Sequence, residues 1–257
     1  MQSKTANMKR LFLGVVLAAL IVSPTAFAIT VTLEGNNSVA GGYNGYGPYQ
    51  TGVGGEFTFR MSAADAGLLS GYSTASGSQT ANFVSGCSFQ TFCVEGPEYI
   101  YANATYTAQL NHITQYGNVA LTRGAAWLYS QFAQGCLAGY NYTGDRHATA
   151  RLLQNAIWAF MGQEGLNFDL TNPFEAAAAA AIGQGAVENA AAVGEFGVYV
   201  LNLWDDSSGR RNPAQDQLIY APNVNANLTG VPDGGTTAML LGLGFSAVAV
   251  IRRIRRS

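Results

Sequence analysis

The chain has 257 residues, of which 48% are hydrophobic and only 11% are charged, with a formal net charge of −2. This length is enough for one large domain with its own core. Thirteen basic and fifteen acidic residues leave no basic excess, which excludes the charge pattern of a nucleic-acid-binding protein. Residues 29–235 contain six arginines and no lysine against all fifteen acids, a net charge of −9. An acidic interior between basic, apolar ends indicates an exported protein with an addressing segment at each end.

Residues 1–28 are predicted to be a signal peptide. Lys4, Lys9 and Arg10 precede an apolar stretch over residues 11–22, which is followed by Ala26-Phe27-Ala28. Small residues at the −3 and −1 positions suit signal peptidase, so we expect cleavage after Ala28. The apolar stretch is shorter than the ~20 residues that a membrane-spanning helix needs, which favours secretion over an uncleaved anchor.

The exported part, residues 29–222, begins with a pattern typical of β-strands. Apolar and polar residues alternate in four short segments: 29–34, 56–61, 99–101 and 104–108. Residues 35–55 between the first two are rich in Gly, Asn and Tyr and are predicted to be a loop.

The middle of the chain changes to helical spacing. Helices are predicted over three segments: 118–132, 146–161 and 174–193, the last of which contains six consecutive alanines at 176–181. Segments 197–204 and 216–220 then indicate closing strands, with a turn over 205–213 between them. The order predicts an α+β fold, in which a β-sandwich or barrel-like framework carries a helical insertion, followed by a linker at 223–230.

Residues 231–257 combine three features. Val231-Pro232-Asp233-Gly234-Gly235 precedes a mostly apolar segment at 236–251 and a basic cluster of Arg252, Arg253, Arg255 and Arg256. As a helix the apolar segment extends about 24 Å, and flanking arginines can reach the interface to complete a single membrane span. The arginines hold that end in the cytoplasm, so the acidic domain lies on the outer side.

This tail resembles the PEP-CTERM class of bacterial sorting signals, in a variant with Val-Pro-Asp in place of Pro-Glu-Pro. The resemblance implies anchoring in the inner membrane through the C-terminal helix, then processing near Pro232 by an exosortase-type membrane protease. The processed protein would reach the cell surface or the extracellular polysaccharide of a biofilm matrix. The alternative is an ordinary single-span anchor that is retained.

Three cysteines are an odd number for an oxidising compartment, so at most two of them pair within the chain. Cys93 lies in the strand-like segment Phe92-Cys93-Val94-Glu95. Gln154 lies in a predicted helix of otherwise apolar character, and Trp158, four residues later, shares its face. Trp158 is therefore expected to shield the Gln154 carboxamide from water.

These two segments resemble the signatures of the thioester domains of bacterial surface adhesins. The resemblance implies an internal thioester between Cys93 and Gln154, shielded by Trp158 and Phe92, which reacts with amine-bearing targets. A disulfide between Cys87 and Cys136 would then use the remaining thiols. The alternative, a Cys87–Cys93 disulfide, leaves Cys136 free and abolishes the thioester.

Other chemistries have weaker signals. The sequence has no Cys-x-x-Cys pair and its two histidines are far apart, so no metal site is expected. No cofactor is expected either. Paired acids at Glu95 and Glu98, or at Asp205 and Asp206, permit a glycoside hydrolase, but an enzyme is not the favoured interpretation. The competing hypothesis is a structural or carbohydrate-binding matrix protein that has the same tail and binds its partners non-covalently.

Overall fold

The computed structural model describes residues 29–34, 54–73, 86–143, 146–208 and 211–224. The predicted signal peptide, most of the predicted linker and the whole predicted sorting tail lie outside the described residues. Within these ranges, none of the helices has the length and apolar character required to cross a membrane.

Six strands form one antiparallel sheet in the order β3-β2-β1-β4-β5-β6. Their bounds are Ile29–Leu33 (β1), Phe57–Met61 (β2), Ser88–Thr91 (β3), Thr105–Asn111 (β4), Val198–Asp205 (β5) and Asn212–Tyr220 (β6). Strands β1, β2 and β4 place apolar residues at alternate positions, because successive side chains of a strand point to opposite faces.

The two outer strands of the sheet meet. The chain continues beyond β3 alongside β6, where Leu218 N donates to Phe92 O (3.1 Å) and Val94 N donates to Asp216 O (3.2 Å). The Thr91 hydroxyl adds a bond of 2.6 Å to the Leu218 carbonyl. The sheet therefore closes on itself, and we name the contact between residues 91–94 and β6 the seam.

Three helices lie between β4 and β5, with bounds Arg123–Ala133 (α1), His147–Phe160 (α2) and Pro173–Ile182 (α3). The Thr122 hydroxyl caps α1 by accepting from Ala125 N, and Asn172 caps α3 by accepting from Phe174 N. Helix α3 ends at Gly183, whose φ of +91° favours glycine.

Two clusters of buried side chains form the core. One is built mainly from alternate residues of the strands, among them Val31, Phe59 and Leu201, and fills the inside of the closed sheet. The other lies between the helices and the outer face of β5 and β6, with Leu128, Leu153 and Leu218 among its members. The seam borders both clusters, so side chains of neighbouring seam residues enter different cores.

The six strands and three helices agree with the predicted α+β fold, and the helices form the expected insertion. The segment 99–101 is not a strand, although its side chains alternate in exposure, and the Tyr101 N–H donates to the Tyr106 hydroxyl (2.7 Å) instead of to a neighbouring strand. Helix α1 begins later than predicted because residues 120 and 122 form isolated β-bridges, with Ile113 and Ala190. Helix α3 stops at Ile182, well short of residue 193, because Gly183 leaves the helical conformation.

Candidate functional site

Cys93 occupies the centre of the seam, opposite Gln217 of β6. The ladder bonds run through its neighbours Phe92 and Val94 rather than through Cys93 itself. In an antiparallel pair of this kind the opposed side chains lie closest together, and the backbone N–H and C=O of the residue point away from the partner strand. The N–H and C=O of Cys93 are thus available to another group.

That group is the side-chain carboxamide of Gln154, which lies 61 positions later on α2. Cys93 N donates to Gln154 Oε1 (3.1 Å), and Gln154 Nε2 donates to Cys93 O (2.8 Å). Gly55 N donates a second bond of 3.1 Å to Gln154 Oε1. Gln154 is 1% exposed and Cys93 is fully buried. The carboxamide is therefore fixed in position and orientation against the backbone of the predicted nucleophile.

The thiol of Cys93 is held between two glutamines of β6. Cys93 Sγ donates to Gln215 Oε1 (3.0 Å), and Gln217 Nε2 lies 3.6 Å from the sulfur as a donor. Burial raises the pKa of the Cys93 thiol well above its usual range, and the Gln217 hydrogen bond lowers it only in part. The thiol is consequently protonated at neutral pH. Because a strand side chain stands roughly perpendicular to the plane of its N–H and C=O groups, Sγ lies out of the plane in which Gln154 binds.

Trp158 and Phe92, both predicted to shield the site, lie on opposite sides of the seam. Trp158 is 4% exposed and shares the core inside the sheet with Cys93. A Cβ atom built on Gly54 would meet both Trp158 and Gln154, so these two side chains lie side by side as predicted. The Phe92 ring instead packs on Phe132 in the helical core, 5.0 Å between centroids, because adjacent residues of a strand alternate. Phe92 and Trp158 therefore belong to different core clusters.

A buried ionic cluster lies next to the carboxamide. Glu56, the residue after Gly55, accepts from Arg146 (2.7 Å) on one carboxylate oxygen and from the Tyr140 hydroxyl (2.5 Å) on the other. Both side chains of the ion pair are completely buried. Burial raises the pKa of Glu56 to about 7, although Arg146 and Tyr140 lower it. We call Glu56, Arg146 and Tyr140 the anchor cluster.

Two carboxyl groups lie on the other side of Cys93. Burial and, after it, the charge of Asp216 raise the pKa of Glu95 to about 10, so Glu95 is neutral at pH 7. Asp216 accepts from Gln115, Asn202 and the Leu203 N–H. Burial raises the pKa of Asp216 as well, although hydrogen bonds with Glu95, Gln115 and the Leu203 N–H lower it. Glu95 of the hydrolase hypothesis is thus part of a buried network, whereas its predicted partner Glu98 is only half-buried.

The structure holds Cys87, Cys93 and Cys136 as free thiols. The predicted Cys87–Cys136 disulfide is therefore absent, as is the alternative Cys87–Cys93 pair. Cys136 is exposed after the end of α1, where its sulfur lies 3.4 Å from Gln131 Oε1. Cys87 is half-buried in the turn before β3. The remaining predicted acid pair, Asp205 and Asp206, lies at the end of β5, away from Cys93.

Several residues of the site carry no pattern that sequence reasoning detects. Gln215 and Gln217 flank Asp216 just before the apolar residues Leu218 and Ile219, and three consecutive polar residues there are the one available signal. Gly55 lies at the end of a glycine-rich segment predicted only as a loop. Among the described residues, no group of three or more His, Cys, Asp or Glu side chains is arranged to hold a metal ion.

Comparison with known protein families identifies one segment of the chain. Residues 230–255 match the family model of the VPDSG-CTERM motif, a sorting tail of the PEP-CTERM kind. No curated protein and no solved structure is significantly similar to the chain. The matched tail implies an exported protein that is anchored in the membrane until an exosortase-type membrane enzyme processes it. The match includes the predicted motif, Val231 to Gly235, and three of the four predicted arginines, Arg252, Arg253 and Arg255. These residues lie outside the part of the chain that the structure describes.

Proposed function

We propose that the domain forms an internal thioester between Cys93 and Gln154 and uses it to attach the exported protein covalently to amine-bearing targets. The observation that carries the proposal is the pair of hydrogen bonds between the Gln154 carboxamide and the N–H and C=O of Cys93, inside the core. The contact is not part of any sheet or helix, because the Cys93 N–H and C=O and the Gln154 carboxamide take no part in regular backbone hydrogen bonding. It holds the electrophilic carbon of Gln154 beside the residue that carries the thiol.

Closure of the thioester would proceed by addition and elimination. Cys93 Sγ attacks Gln154 Cδ, a C–S bond forms, and the electron pair of the carbonyl moves to Oε1. The nitrogen then loses its amide conjugation, becomes basic and takes the thiol proton. The C–N bond breaks, ammonia leaves, and the carbonyl re-forms as a thioester. Holding the two groups together in advance is worth about 7–11 kcal/mol of such a barrier.

Attachment would reverse the roles of nitrogen and sulfur. The nitrogen of a neutral amine attacks Gln154 Cδ, and the C–S bond breaks with its electron pair on Cys93 Sγ. The sulfur receives the proton that the amine nitrogen loses. The product is an amide between Gln154 and the target, with a free thiol at Cys93. Burial among Trp158 and the apolar core excludes water, which slows the competing hydrolysis.

The sorting tail suits such an activity, because the protein would meet its targets outside the inner membrane. After processing, the domain would lie at the cell surface or in extracellular polysaccharide, and the acidic charge of residues 29–235 would attract cationic amines. Lysine side chains and polyamines are the expected class of target.

Intact mass of the purified exported domain, residues 29–222, tests the proposal. The wild type should be lighter than its sequence mass by one ammonia, and methylamine should then add one molecule, located on Gln154 by peptide mapping. Cys93→Ala should restore the sequence mass and abolish the adduct. Cys136→Ala is the matched control and should behave as the wild type. A wild-type domain with its full sequence mass and an unmodified Gln154 would refute the proposal.

A second candidate is the non-covalent carbohydrate-binding protein considered above. A pocket of about 350 Å³ is lined by Glu98, Asp205 and Asn212 together with Tyr99 and Tyr101, which are 70% and 63% exposed. Exposed rings beside hydrogen-bonding groups suit the apolar faces and hydroxyls of a sugar. A polysaccharide column should retain Cys93→Ala, which cannot form the thioester, and should fail to retain Tyr99→Ala. This pair of results would support carbohydrate binding independently of the thioester.

A further inference from the structure

Two backbone N–H groups converge on one side-chain oxygen. Gly55 N and Cys93 N each lie 3.1 Å from Gln154 Oε1, although they come from segments nearly forty residues apart. We propose that these two N–H groups form an oxyanion hole for the reactions at Gln154 Cδ, and that the anchor cluster positions Gly55 for this role. The inference rests on the proposed function, since it concerns how the same bond is made and opened.

The chemistry requires such a site. Thioester closure and amine attack both pass through a tetrahedral intermediate in which Oε1 carries the negative charge. Donors that already point at this oxygen stabilise the charge without reorganisation, and the effect is large where water is excluded. In the Ser-His-Asp proteases the backbone N–H of the nucleophile is itself one of the two donors. Cys93 has the same double role here, because its own N–H binds the oxygen that its sulfur would charge.

The second donor needs a support, because Gly55 belongs to no regular element. Gly54 and Gly55 have φ values of +83° and +118°, a backbone that only glycine adopts readily. The next residue, Glu56, is held on both carboxylate oxygens by Arg146 and Tyr140. The position of Gly55 therefore depends on contacts made by its neighbour.

One helix connects the two halves of this arrangement. Arg146 immediately precedes α2, and Gln154 lies about two turns further along the same helix. Through Arg146 and Glu56, α2 holds the donor Gly55. Through Gln154, it presents the oxygen that accepts. A rigid element thereby fixes the donor and the acceptor relative to each other, as pre-organisation requires.

The test removes one support and leaves the reacting groups intact. Tyr140→Phe deletes the hydroxyl that binds Glu56, without a change in ring volume. Tyr142→Phe is the matched control: this ring lies 4.9 Å from that of Tyr140, and its hydroxyl binds the Phe132 carbonyl instead. The Tyr142 hydroxyl also accepts from Leu137 N (3.2 Å), so Tyr142→Phe loses at least as many hydrogen bonds as Tyr140→Phe in the same aromatic group. A purely structural role of these hydroxyls would therefore not spare Tyr142→Phe.

Two measurements follow, both on the exported domain in its thioester form. Loss of an oxyanion-hole donor slows acyl transfer by about 10²–10³-fold, so loosening one donor should slow the methylamine reaction of Tyr140→Phe by about tenfold. The thioester carbonyl band, isolated as the infrared difference before and after methylamine, should move to higher frequency in Tyr140→Phe. Tyr142→Phe should match the wild type in both measurements.

The possible results separate the two proposals. A wild type with no mass deficit overturns the thioester and the oxyanion hole together. A wild type with a thioester, whose rate and carbonyl band are unchanged by Tyr140→Phe, overturns the inference and leaves the proposed function intact. Equal losses in Tyr140→Phe and Tyr142→Phe would assign the anchor cluster a structural role only, and would also overturn the inference.

Discussion

Gly54 offers a sharp test of the packing around the carboxamide. A Cβ atom at this position would lie 2.6 Å from Trp158 Cη2 and 3.0 Å from Gln154 Cγ, and the φ of +83° is unfavourable for other residues. Gly54→Ala therefore has two costs. Backbone strain contributes about 1–2 kcal/mol and forced repacking about 1–3 kcal/mol to the loss of stability.

Gly86 separates these two costs. Its φ is +80°, almost the same as that of Gly54, yet a Cβ atom there has no neighbour within 4 Å. Gly86→Ala should lose only the strain contribution, and the difference between the two variants measures the clash with Trp158 and Gln154. Urea unfolding of both variants gives the free energies of unfolding, provided that the slopes of the transitions agree.

The same pair of variants reports on chemistry. Displacement of Gln154 from the Cys93 backbone should delay closure of the thioester in Gly54→Ala, so freshly purified protein would retain more of the ammonia than the wild type. Gly86→Ala should close normally despite its lower stability. Equal stabilities of the two variants, or equal thioester content, would show that the close packing at Gly54 has no part in holding the carboxamide.

Two further predictions concern titration and thiol counts. The native state holds a proton on Glu95 up to a pKa of about 10, so the free energy of unfolding should fall as pH rises from 5 to 9, by at most about 1.4 kcal/mol per pH unit for this group. Glu95→Gln should reduce this loss of stability with rising pH, as measured by urea unfolding. An unchanged pH dependence of the free energy of unfolding would contradict its assignment to Glu95. Ellman titration of the denatured protein should detect Cys87 and Cys136 only, with Cys93 added after methylamine treatment. Three thiols before treatment would show that the thioester is open.

The strands were predictable where alternation and burial agree. Residues 29–33 and 57–61 each bury alternate apolar side chains, and the structure forms β1 and β2 there. Strand β3 carries Ser88 and Gln90 and has no alternation, because all four of its residues are buried. Its polar side chains bind groups distant in sequence, as where Gln90 Oε1 accepts from the Thr58 hydroxyl, and no local pattern encodes such contacts.

The candidate site was predictable in part for a similar reason. Cys93 and Gln154 stand out because three cysteines leave an odd thiol and because Gln154 follows two leucines in a mostly apolar part of the predicted helix. The role of Gly55 depends on where Glu56 is anchored, and its two partners lie more than eighty residues away. The side of the sheet to which Phe92 points depends on the register between residues 92–94 and β6. Such facts exist only once the chain has folded.

The seam also bears on aggregation between copies of this protein, because it covers the edge of the sheet. Beyond the bonds to residues 91–94, Tyr220 N of β6 donates to the Tyr72 hydroxyl, so the outermost strand has partners over much of its length in the described part of the chain. Exposed strand edges recruit further strands and start aggregates. A sheet that is joined to itself offers little to such templating, an advantage for an exported polypeptide that folds beyond the reach of cytoplasmic chaperones.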